Sequence, residues 1–527
     1  MDTNRFLHCK MLYTDAVSHF NDVWRLPDGR LFTLGAPTKV NQGGHFSKEP
    51  VSTFIIGRAS SDEGATWDIT FIRQLPGETE MTLLGDFIVT GDGRIHAFFE
   101  HIREISFEDI THCRGDITYM RLDNANGDQM IYKKIDALDR YTGSMNNVIQ
   151  LPSGRIIAPF STISGIAGSA FTSSVVYSDD GGEHWQASND VAVISDESHI
   201  ESGAVEPVVV HVGDDVLIML IRTVLSRLWY AVSYDGGATW SQAKPTQIPS
   251  SNAPAAPVRM PDGRILLSWN NVLGQPMQGV QYSFARQCLM AAVSNDGLKT
   301  LQGVRTIIRK RAEDPDHVLN CYPFCTVAGQ AEAFVRPFSV QNRDDVHWCD
   351  PQAMLLHLKL DDLLDTQMHN SFPDWVTDCP CDETGIRMIP TASGIAYANV
   401  NFPYATEGKI SLTSEGALPS GTRILLSDCY LDRMTFLPEH CCSKYNDYIK
   451  NAFIELVPET SGQWDIQWDD SEITLTVGAQ TQRVSLSDWN RGFNHLSILF
   501  EGTDAALQIA AFDMETFHSG MATGIEY

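Results

Sequence analysis

The chain has 527 residues, 43% of them hydrophobic and 20% charged, which are proportions typical of a folded globular protein. Its formal net charge of −28 gives an overall field that repels nucleic acids and anionic membrane surfaces, so neither is predicted as a partner. No run of about 18 uninterrupted apolar residues occurs, so no membrane insertion is predicted.

The start of the chain and its cysteines bear on location and metal binding. MDTNRFLHCK lacks the apolar segment of a signal peptide, and eleven cysteines are scattered along the sequence. Both features predict a cytoplasmic protein whose cysteines are mostly small buried side chains, although a trimmed secreted chain would start in the same way. The close pairs CYPFC, CPC and HCC are not joined by a regular C-x2-C repeat, and no phosphate-binding glycine loop is present. We therefore predict neither a metal site nor a cofactor.

Five hairpins are predicted in the first half of the chain, each a turn between two apolar runs. Their sequences are RLPDGRLF, TGDGRIHAF, LPSGRIIAP, HVGDDVLIM and MPDGRILLS. The turn residues Gly29, Gly93, Gly154, Asp214 and Gly263 recur at intervals of roughly 50 to 65 residues. A repeat of this length, with several strands and one fixed turn, is typical of the blades of a β-propeller.

A second pattern, S-x-D-x-G-x-T-W, runs in step with the hairpins. SSDEGATW (60–67) and SYDGGATW (233–240) fit it fully, SDDGGEHW (178–185) has His184 in place of the threonine, and SNDGLKTL (294–301) is a degraded copy. The aspartate is suited to accept turn N–H groups, the glycine to adopt a positive φ, and the tryptophan to pack between sheets. We therefore expect a structural role for this turn.

The turn pattern is identified as the Asp-box, or BNR repeat, of the sialidase (neuraminidase) superfamily, and the resemblance covers about residues 15 to 365. It implies a six-bladed β-propeller in which these turns lie away from the catalytic face. The fold class predicted for the chain is therefore all-β, with a sialidase-like six-bladed β-propeller over residues 1–370.

Polar residues stand where the innermost strands of the predicted blades begin. They are Asn21, Asp22, Asp86, Asn146, Asn147, Glu206 and Asn252. A core strand does not ordinarily start with polar side chains, so these are candidates for a site around the central axis. The alternative is that they only tie off strand ends by hydrogen bonds, which is an equally good explanation for each asparagine.

The resemblance assigns roles to four residues. GAVEPVVVHVGDDVLIMLIR carries Glu206 and a carboxylate-binding Arg222, RQCLMAAVSNDG carries a second such arginine, Arg286, and NCYPFCTVAGQ carries the tyrosine nucleophile, Tyr322. Two arginines in one pocket suit a carboxylate, and a glutamate beside a tyrosine can take its proton as it attacks an anomeric carbon. Taken singly, each arginine is also explained as a surface or inter-blade ion pair.

Two parts of the family pattern are missing. The first blade has Asn21 and Asp22 where the family has an arginine, and no aspartate precedes the first Asp-box. His45 and Glu49, in the loop NQGGHFSKEP, and Asp22 are the substitutes considered for the acid/base group.

The second blade adds HAFFEHIREISFEDITHCRG. His96 and His101 are expected on opposite faces of a strand, which makes them a poor metal pair, whereas His101 and Arg103 share a face. We predict His101 as a catalytic residue and Arg103, with Asn21 and Asn146, as substrate-binding residues. The alternative is a solvated edge strand with a charged loop.

The last 150 residues or so differ in character, because short alternating runs such as GKISLTS and SEITLTV replace the Asp-boxes. They predict a second domain over residues 378–527, a jelly-roll β-sandwich. The segment VSLSDWNRGFNHLSILFEGTDAALQIAAFD resembles the end of a concanavalin-like or laminin-G-like sandwich, a module that binds sugar or buttresses the propeller.

The function predicted from these features is that of an exo-acting glycoside hydrolase on a terminal sugar, one that bears a carboxylate. The expected partner is a glycan or oligosaccharide, and the sequence does not predict the oligomeric state. One alternative is a polysaccharide lyase, in which the arginines neutralise a uronate and a histidine or tyrosine takes the C5 proton. The other is a glycan-binding propeller without catalysis.

Overall fold

The computed structural model describes most of the chain. The described residues are 10–15, 20–35, 54–75, 81–104, 114–135, 142–143, 145–195, 202–273, 286, 288–309, 318–343, 346–369, 372, 375–377, 379–392, 394–431, 453–489, 491–502, 506–518 and 520–527. The predicted site residue His45, together with Glu49, lies outside them. The side chains of Asn21 and Arg103 are also outside the description.

The described residues between 10 and 359 form six antiparallel sheets that follow one another along the chain. The first four are built from consecutive strands, the fifth also receives a late strand, and the sixth also receives the first strand. Strand β1 (Lys10–Asp15) is the outer strand of the sixth sheet. The first sheet is β2 (Phe20–Arg25), β3 (Leu31–Gly35), β4 (Phe54–Ser60) and β5 (Asp68–Gln74). The second is β6 (Met81–Val89), β7 (Ile95–Glu104), β8 (Arg114–Leu122) and β9 (Ile131–Lys134).

The third and fourth sheets continue this pattern. The third is β10 (Thr142–Gly143), β11 (Ile149–Gln150), β12 (Ile156–Ile163), β13 (Phe171–Ser178), β14 (Gln186–Ala187) and β15 (Val191–Ala192). The fourth is β16 (Val205–Gly213), β17 (Val216–Arg222), β18 (Arg227–Ser233) and β19 (Lys244–Pro249).

The fifth and sixth sheets complete the set. The fifth contains β20 (Ala256–Arg259), β21 (Ile265–Trp269), β23 (Cys288–Ser294) and β24 (Thr300–Arg309). Strand β22 (Val272–Leu273) lies between β21 and β23 in the chain but does not pair in this sheet. The sixth contains β25 (Val318–Val327), β26 (Glu332–Arg343) and β27 (Val346–Lys359), to which β1 pairs. A 3₁₀ helix, Leu360–Leu364, follows.

A hydrophobic cluster lies between each sheet and the next. Phe32 of the first sheet packs with Phe87 of the second, and Leu267 of the fifth packs in the cluster that contains Ile218 of the fourth. The sixth sheet packs on the first through Val23 and Phe334. The first strands also contact their neighbours, including β25 of the sixth sheet with β2 of the first. The six sheets therefore succeed one another in order, and the last adjoins the first.

The S-x-D-x-G-x-T-W turns share one hydrogen-bonding pattern. In the first, the Ser60 hydroxyl donates to Asp62 (2.8 Å) and accepts the Gly64 N–H (2.8 Å), and Asp62 accepts the N–H and hydroxyl of Thr66 (2.8 and 2.6 Å). The turns at 178, 233 and 294 repeat these contacts. In the degraded copy Leu298 takes the glycine position, with φ 73°. The turns therefore hold strand ends, as predicted.

Two further sheets come from the last part of the chain. One contains β28 (Gln367–His369), β30 (Cys381–Asp382), β31 (Gly385–Met388), β33 (Glu407–Glu415), β37 (Gly462–Trp468), β38 (Glu472–Val477), β39 (Gln480–Ser485) and β41 (Leu507–Phe517). The other contains β29 (Val376–Thr377), β32 (Ile395–Ala405), β34 (Arg423–Ser427), β36 (Phe453–Leu456) and β40 (Phe493–Glu501). Both sheets contribute to one core, in which Trp464 and Ile498 are fully buried.

The last part of the chain also contacts the fifth sheet. Strand β42 (Gly520–Ala522) pairs with β24, and β35 (Tyr430–Leu431) pairs in parallel with β22. The Thr523 hydroxyl donates to the carbonyl of Leu298 (2.6 Å), and the Tyr527 hydroxyl to that of Gly297 (3.0 Å). The turn at 294–301, which has leucines in the glycine and tryptophan positions, thus contacts a segment from the far end of the sequence. The domain boundaries at 370 and 378 stay a prediction.

The sequence also predicted that most cysteines are buried. Cys288, Cys379 and Cys429 are buried, as expected of small apolar side chains, whereas Cys381 is exposed. Within the described residues, no helix has the length and apolar character needed to span a bilayer.

Candidate functional site

Two β-bulges position the central residues of the site. The register of β16 against β17 shifts between Val205 and Val208, and that of β25 against β26 shifts between Cys321 and Phe324. Each bulge contains a polar residue followed by proline, Glu206 in the fourth sheet and Tyr322 in the sixth. Bulges re-aim side chains that a regular strand would place on a fixed face.

The two bulged residues, from the fourth and sixth sheets, contact each other. The Tyr322 hydroxyl donates a hydrogen bond of 2.9 Å to Glu206 Oε1. Arg222 Nη1 donates to Glu206 Oε2 (2.5 Å) and lies 3.4 Å from the Tyr322 hydroxyl. The predicted nucleophile, its proton acceptor and one predicted arginine are therefore brought together.

Asn252, just before the fifth sheet, joins the two arginines. Its side-chain Oδ1 accepts a hydrogen bond from Arg222 Nε (2.6 Å), and its backbone carbonyl accepts one from Arg286 Nη2 (2.5 Å). The Arg286 guanidinium carbon lies 5.1 Å from the centre of the Tyr322 ring. A loop asparagine thus fixes the orientation of both guanidinium groups.

The burial of these groups strengthens their electrostatic interactions. Glu206, Arg222 and Arg286 are 4%, 2% and 0% exposed, and Tyr322 is partly exposed. With a neutral tyrosine, the four side chains carry one net positive charge. The Arg222 guanidinium beside the tyrosine oxygen, with that of Arg286 over the ring, stabilises the phenolate that forms when the carboxylate takes its proton. The arrangement therefore suits attack by the tyrosine oxygen beside a bound anion.

Asp22 lies on another bulge, at the start of the first sheet, and is 5% exposed. Its carboxyl group is within hydrogen-bonding reach of Asp86 in the second sheet and interacts with Arg336 of β26. Burial is the main cause that raises the pKa of Asp22, to about 7, and also raises the pKa of Asp86 well above its usual range. Asp22 therefore lies next to the carboxyl group of Asp86, a neighbour that was not predicted from the sequence.

Of the two predicted asparagines near the third sheet, Asn147 makes a tie to the next sheet. Asn147 donates to the carbonyl of Val209 (2.8 Å) and accepts its N–H (2.9 Å), so its amide joins the third sheet to the fourth. Asn146, predicted to bind substrate, is buried beside it, with 6% exposure. Asn147 therefore ties strands together by hydrogen bonds, which is the alternative to a site role that the sequence left open.

The histidines of the second sheet have different surroundings. His96 is buried and its Nδ1 lies 2.7 Å from the Tyr119 hydroxyl, and burial lowers its pKa to about 4. His101 lies further along β7, opposite Thr82 on one side and Asp116 on the other, and is partly exposed. Its catalytic role stays a prediction, as does the role of Arg103, two residues further on.

Sequence reasoning missed two features of the site. Arg336, 2% exposed in the middle of β26, was not singled out because only the fold brings it to Asp22. Asn252 was noted only as a strand-end residue, and its bond to Arg222 joins positions 30 residues apart. The polar run SSNAP (250–254), directly after strand β19, is the sequence signal that could have identified Asn252.

A shallow groove of about 300 Å³ lies elsewhere, on the sheet that contains β33 and β41. Its charged groups are bonded to one another: His369 to Asp513 (2.8 Å) and Lys409 to Glu515 (2.6 Å). Such cross-strand pairs are typical of the solvated face of an antiparallel sheet. In the described part of the chain, no three His, Cys, Asp or Glu side chains cluster as a metal site would need.

Comparison with known proteins gives one match to a protein family. Residues 136–348 match the family described as a BNR repeat-like domain. No curated protein matches the chain.

Several solved structures are similar in part. A protein of unknown function from Dyadobacter fermentans is 15% identical, with a TM-score of 0.48 over 67% of this chain and 98% of its own. Trypanosoma rangeli sialidase is 12% identical, with a TM-score of 0.43 over 95% and 92%. The NanB sialidase from Streptococcus pneumoniae is 13% identical, with a TM-score of 0.47 over 67% and 71%. Scores below 0.5 add nothing to what the sheets themselves show.

The family match includes Glu206, Arg222, Asn252, Arg286 and Tyr322, which are the residues that meet at the site. It also includes three of the four S-x-D-x-G-x-T-W turns. Residues 136–348 therefore match a BNR repeat-like domain, which is the kind of repeat that the turn pattern predicts.

Proposed function

We propose that this protein is an exo-acting glycoside hydrolase that removes a terminal, carboxylate-bearing sugar from a glycan. The observation that carries the proposal is the 2.9 Å hydrogen bond from the Tyr322 hydroxyl to Glu206, made beside Arg222 and Arg286. A tyrosine paired with a buried carboxylate next to two guanidinium groups suits nucleophilic attack on a sugar that bears a negative charge.

In the proposed first step the arginines hold the sugar carboxylate and place its anomeric carbon near the tyrosine oxygen. Glu206 takes the tyrosine proton as the tyrosine oxygen bonds to that carbon, and the glycosidic oxygen leaves with a proton from a general acid. Water then attacks the same carbon and gives its proton to the group that acted as the general acid, while the bond to Tyr322 breaks and Glu206 returns its proton to the tyrosine. His45, Asp22 and His101 are the candidates for the general acid.

The proposed architecture is a six-bladed β-propeller followed by a jelly-roll β-sandwich. Six successive sheets with a hydrophobic cluster between each pair support the first part, and two sheets on one shared core support the second. Strand β1 of the sixth sheet joins the two ends of the proposed propeller. A cytoplasmic location is a further proposal that rests on the sequence alone.

The test is an activity assay on a panel of aryl sialosides and uronate-terminated oligosaccharides. Wild type is compared with Tyr322→Phe and Arg222→Ala, and with Tyr234→Phe, an exposed tyrosine in the turn after β18, as the control. Release of the terminal sugar that both site variants abolish and the control retains would support the proposal.

Two other outcomes correspond to the alternatives. An unsaturated product absorbing in the near ultraviolet would assign the protein to the lyases. Saturable glycan binding without turnover, retained in Tyr322→Phe, would identify a propeller that binds glycans without catalysis.

A further inference from the structure

Three consecutive residues at the end of strand β21 tie together three separate parts of the chain. Trp269, Asn270 and Asn271 are fully buried, and each donates a side-chain N–H to the backbone carbonyl of a different segment. Trp269 Nε1 donates to Pro249 (3.0 Å), Asn270 Nδ2 to Cys288 (2.8 Å) and Asn271 Nδ2 to Asp428 (2.8 Å). These three residues are called the WNN hub below.

Two of the three segments carry parts of the arginine site. The Ser251 N–H, directly before Asn252, donates to the Asn270 carbonyl (3.1 Å). Cys288, whose carbonyl accepts from the Asn270 side chain, lies two residues after Arg286. Asn270 therefore holds the segment of the residue that orients both guanidinium groups, and also the segment of one of the two arginines.

The third segment belongs to the last part of the chain. Asp428 directly follows strand β34, and the Asn271 carbonyl accepts the N–H of Tyr430 (3.0 Å). The parallel pairing of β22 with β35 begins at the residue after Asn271. The Tyr430 side chain, 1% exposed, packs on Cys288. Asp428 is also 1% exposed, and its Oδ2 lies 3.1 Å from Arg491 Nη1. The hub is therefore the point at which the C-terminal sheets reach the segments that carry the site.

Buried hydrogen bonds of this kind fix the distances between the segments they join, because a buried amide that loses its partner costs free energy. Two guanidinium groups that bind one carboxylate must both lie at hydrogen-bonding distance from it. A misplacement of about 1 Å that originates far from the chemistry is enough to lower a rate roughly 100-fold. The position of the hub therefore matters for binding as well as for folding.

We infer that the WNN hub makes the C-terminal sheets part of the carboxylate-binding site, with Asn270 and Asn271 as positioning residues. The C-terminal sheets fix Asn271, and Asn270 beside it fixes the segments of Asn252 and Arg286. The effect on substrate rests on the proposed function, whereas the connection itself can be tested without a substrate.

The first measurement is amide hydrogen exchange of the segment 249–252 in the wild type, in Asn271→Ala and in Asn399→Ala. Asn399 is the matched control, because it is an equally buried asparagine whose amide donates to Ser497 within the C-terminal sheets (2.9 Å). Exchange at 249–252 should become several-fold faster in Asn271→Ala and keep its wild-type rate in Asn399→Ala. A wild-type rate in Asn271→Ala would overturn the inference.

The second measurement is steady-state kinetics on a carboxylate-bearing substrate. Misplaced arginines weaken binding, so KM should rise roughly 10-fold in Asn271→Ala with a smaller change in kcat. A purely structural role would reduce the amount of folded enzyme and leave KM at its wild-type value. Combined with Asn252→Ala, the two increases in KM should be less than multiplicative, because both changes act on the same arginines. An unchanged KM in Asn271→Ala, or fully multiplicative increases, would contradict the positioning role.

Two further outcomes are also decisive. If Asn271→Ala does not fold, Arg491→Gln replaces it, since this change loosens Asp428 from a partly exposed position. It should produce the same faster exchange at 249–252 on a smaller scale, and exchange at the wild-type rate would overturn the inference. If the wild type acts on no substrate of the panel, the proposed function fails, and exchange at 249–252 alone decides the role of the hub.

Discussion

Glu206 and Tyr322 lie in different sheets and share one unusual backbone conformation. Their φ values are 45° and 50°, and each stands in a β-bulge directly before a proline. Few residues other than glycine adopt this region, and a following proline normally favours an extended backbone. Strain of about 1 to 3 kcal/mol at such a residue persists only where the surrounding structure enforces it. The strain is located at the two residues that carry the proposed reaction.

This strain predicts an inverted order of stability at position 322. In an ordinary strand, glycine is less stable than alanine by about 0.5 to 1 kcal/mol. At φ 50° the order reverses, because only alanine meets a steric penalty, so Tyr322→Gly should be more stable than Tyr322→Ala by roughly 1 kcal/mol. Chemical denaturation of both variants measures the difference.

The same pair of substitutions at Tyr132, in strand β9, is the control and should show the ordinary order. If alanine is the more stable residue at both positions, the backbone at 322 is not strained. Both Tyr322 variants should lack activity whatever their stability, because neither has a nucleophile.

Asn252 gives a second prediction, which concerns the positions of the arginines. Asn252→Ala removes the acceptor of Arg222 Nε and keeps the backbone carbonyl that holds Arg286. A hydrogen bond to a charged group contributes about 1.5 to 3 kcal/mol, so KM for a carboxylate-bearing substrate should rise roughly 10-fold or more. Steady-state kinetics measure the change.

Asn295→Ala, an exposed asparagine bonded to Gln302 in the fifth sheet, is the matched control and should leave KM unchanged. A fall in kcat with no change in KM would contradict the proposal that Asn252 acts through substrate binding.

The sequence predicted the repeated sheets, and it named four of the residues that meet at the candidate site, because both depend on local patterns. Each S-x-D-x-G-x-T-W turn makes hydrogen bonds between residues at most four positions apart, so the eight-residue pattern is enough to predict them. Glu206, Arg222, Arg286 and Tyr322 were recognised through stretches similar to a known family, and the structure brings all four together.

Features that depend on contacts between distant strands were not predicted. The pairing of Asp22 with Asp86, and the position of Arg336 against it, depend on which sheets adjoin in the folded chain. The pairing of β42 with β24 likewise joins the end of the sequence to a strand more than 200 residues earlier. No local pattern specifies such contacts, because they are decided by how whole sheets pack.

Leu298 gives a third prediction, in which two effects oppose each other. It adopts φ 73°, where glycine is preferred, and glycine would relieve roughly 1 kcal/mol of strain. Its side chain, however, is fully buried with Leu301 and Met521, and removing a buried leucine costs about 2 to 5 kcal/mol. Leu298→Gly should therefore destabilise the protein by roughly 1 to 4 kcal/mol, measured by denaturant unfolding.

The reverse comparison is Gly237→Ala, at the equivalent position of the turn in the fourth sheet, where φ is 88°. The added Cβ would lie 3.3 Å from both Ile157 and Leu217, so this change should also destabilise the protein. A stabilised Leu298→Gly variant would show that the C-terminal segment packs elsewhere in solution.

His96 gives a fourth prediction, a loss of stability in acid with a defined origin. Burial lowers the pKa of His96 to about 4, below its ordinary value of 6.5, so the folded protein keeps this side chain neutral while the unfolded chain protonates it. The stability it contributes is complete above about pH 6.5 and is lost as the pH falls through 4, by roughly 1 to 3 kcal/mol in total. In His96→Asn, whose side chain does not titrate, the difference from wild type should shrink between pH 7 and pH 4.5. Denaturant unfolding at both pH values measures it, with the exposed His184→Asn as the control; equal differences at the two pH values would show that His96 does not titrate on unfolding.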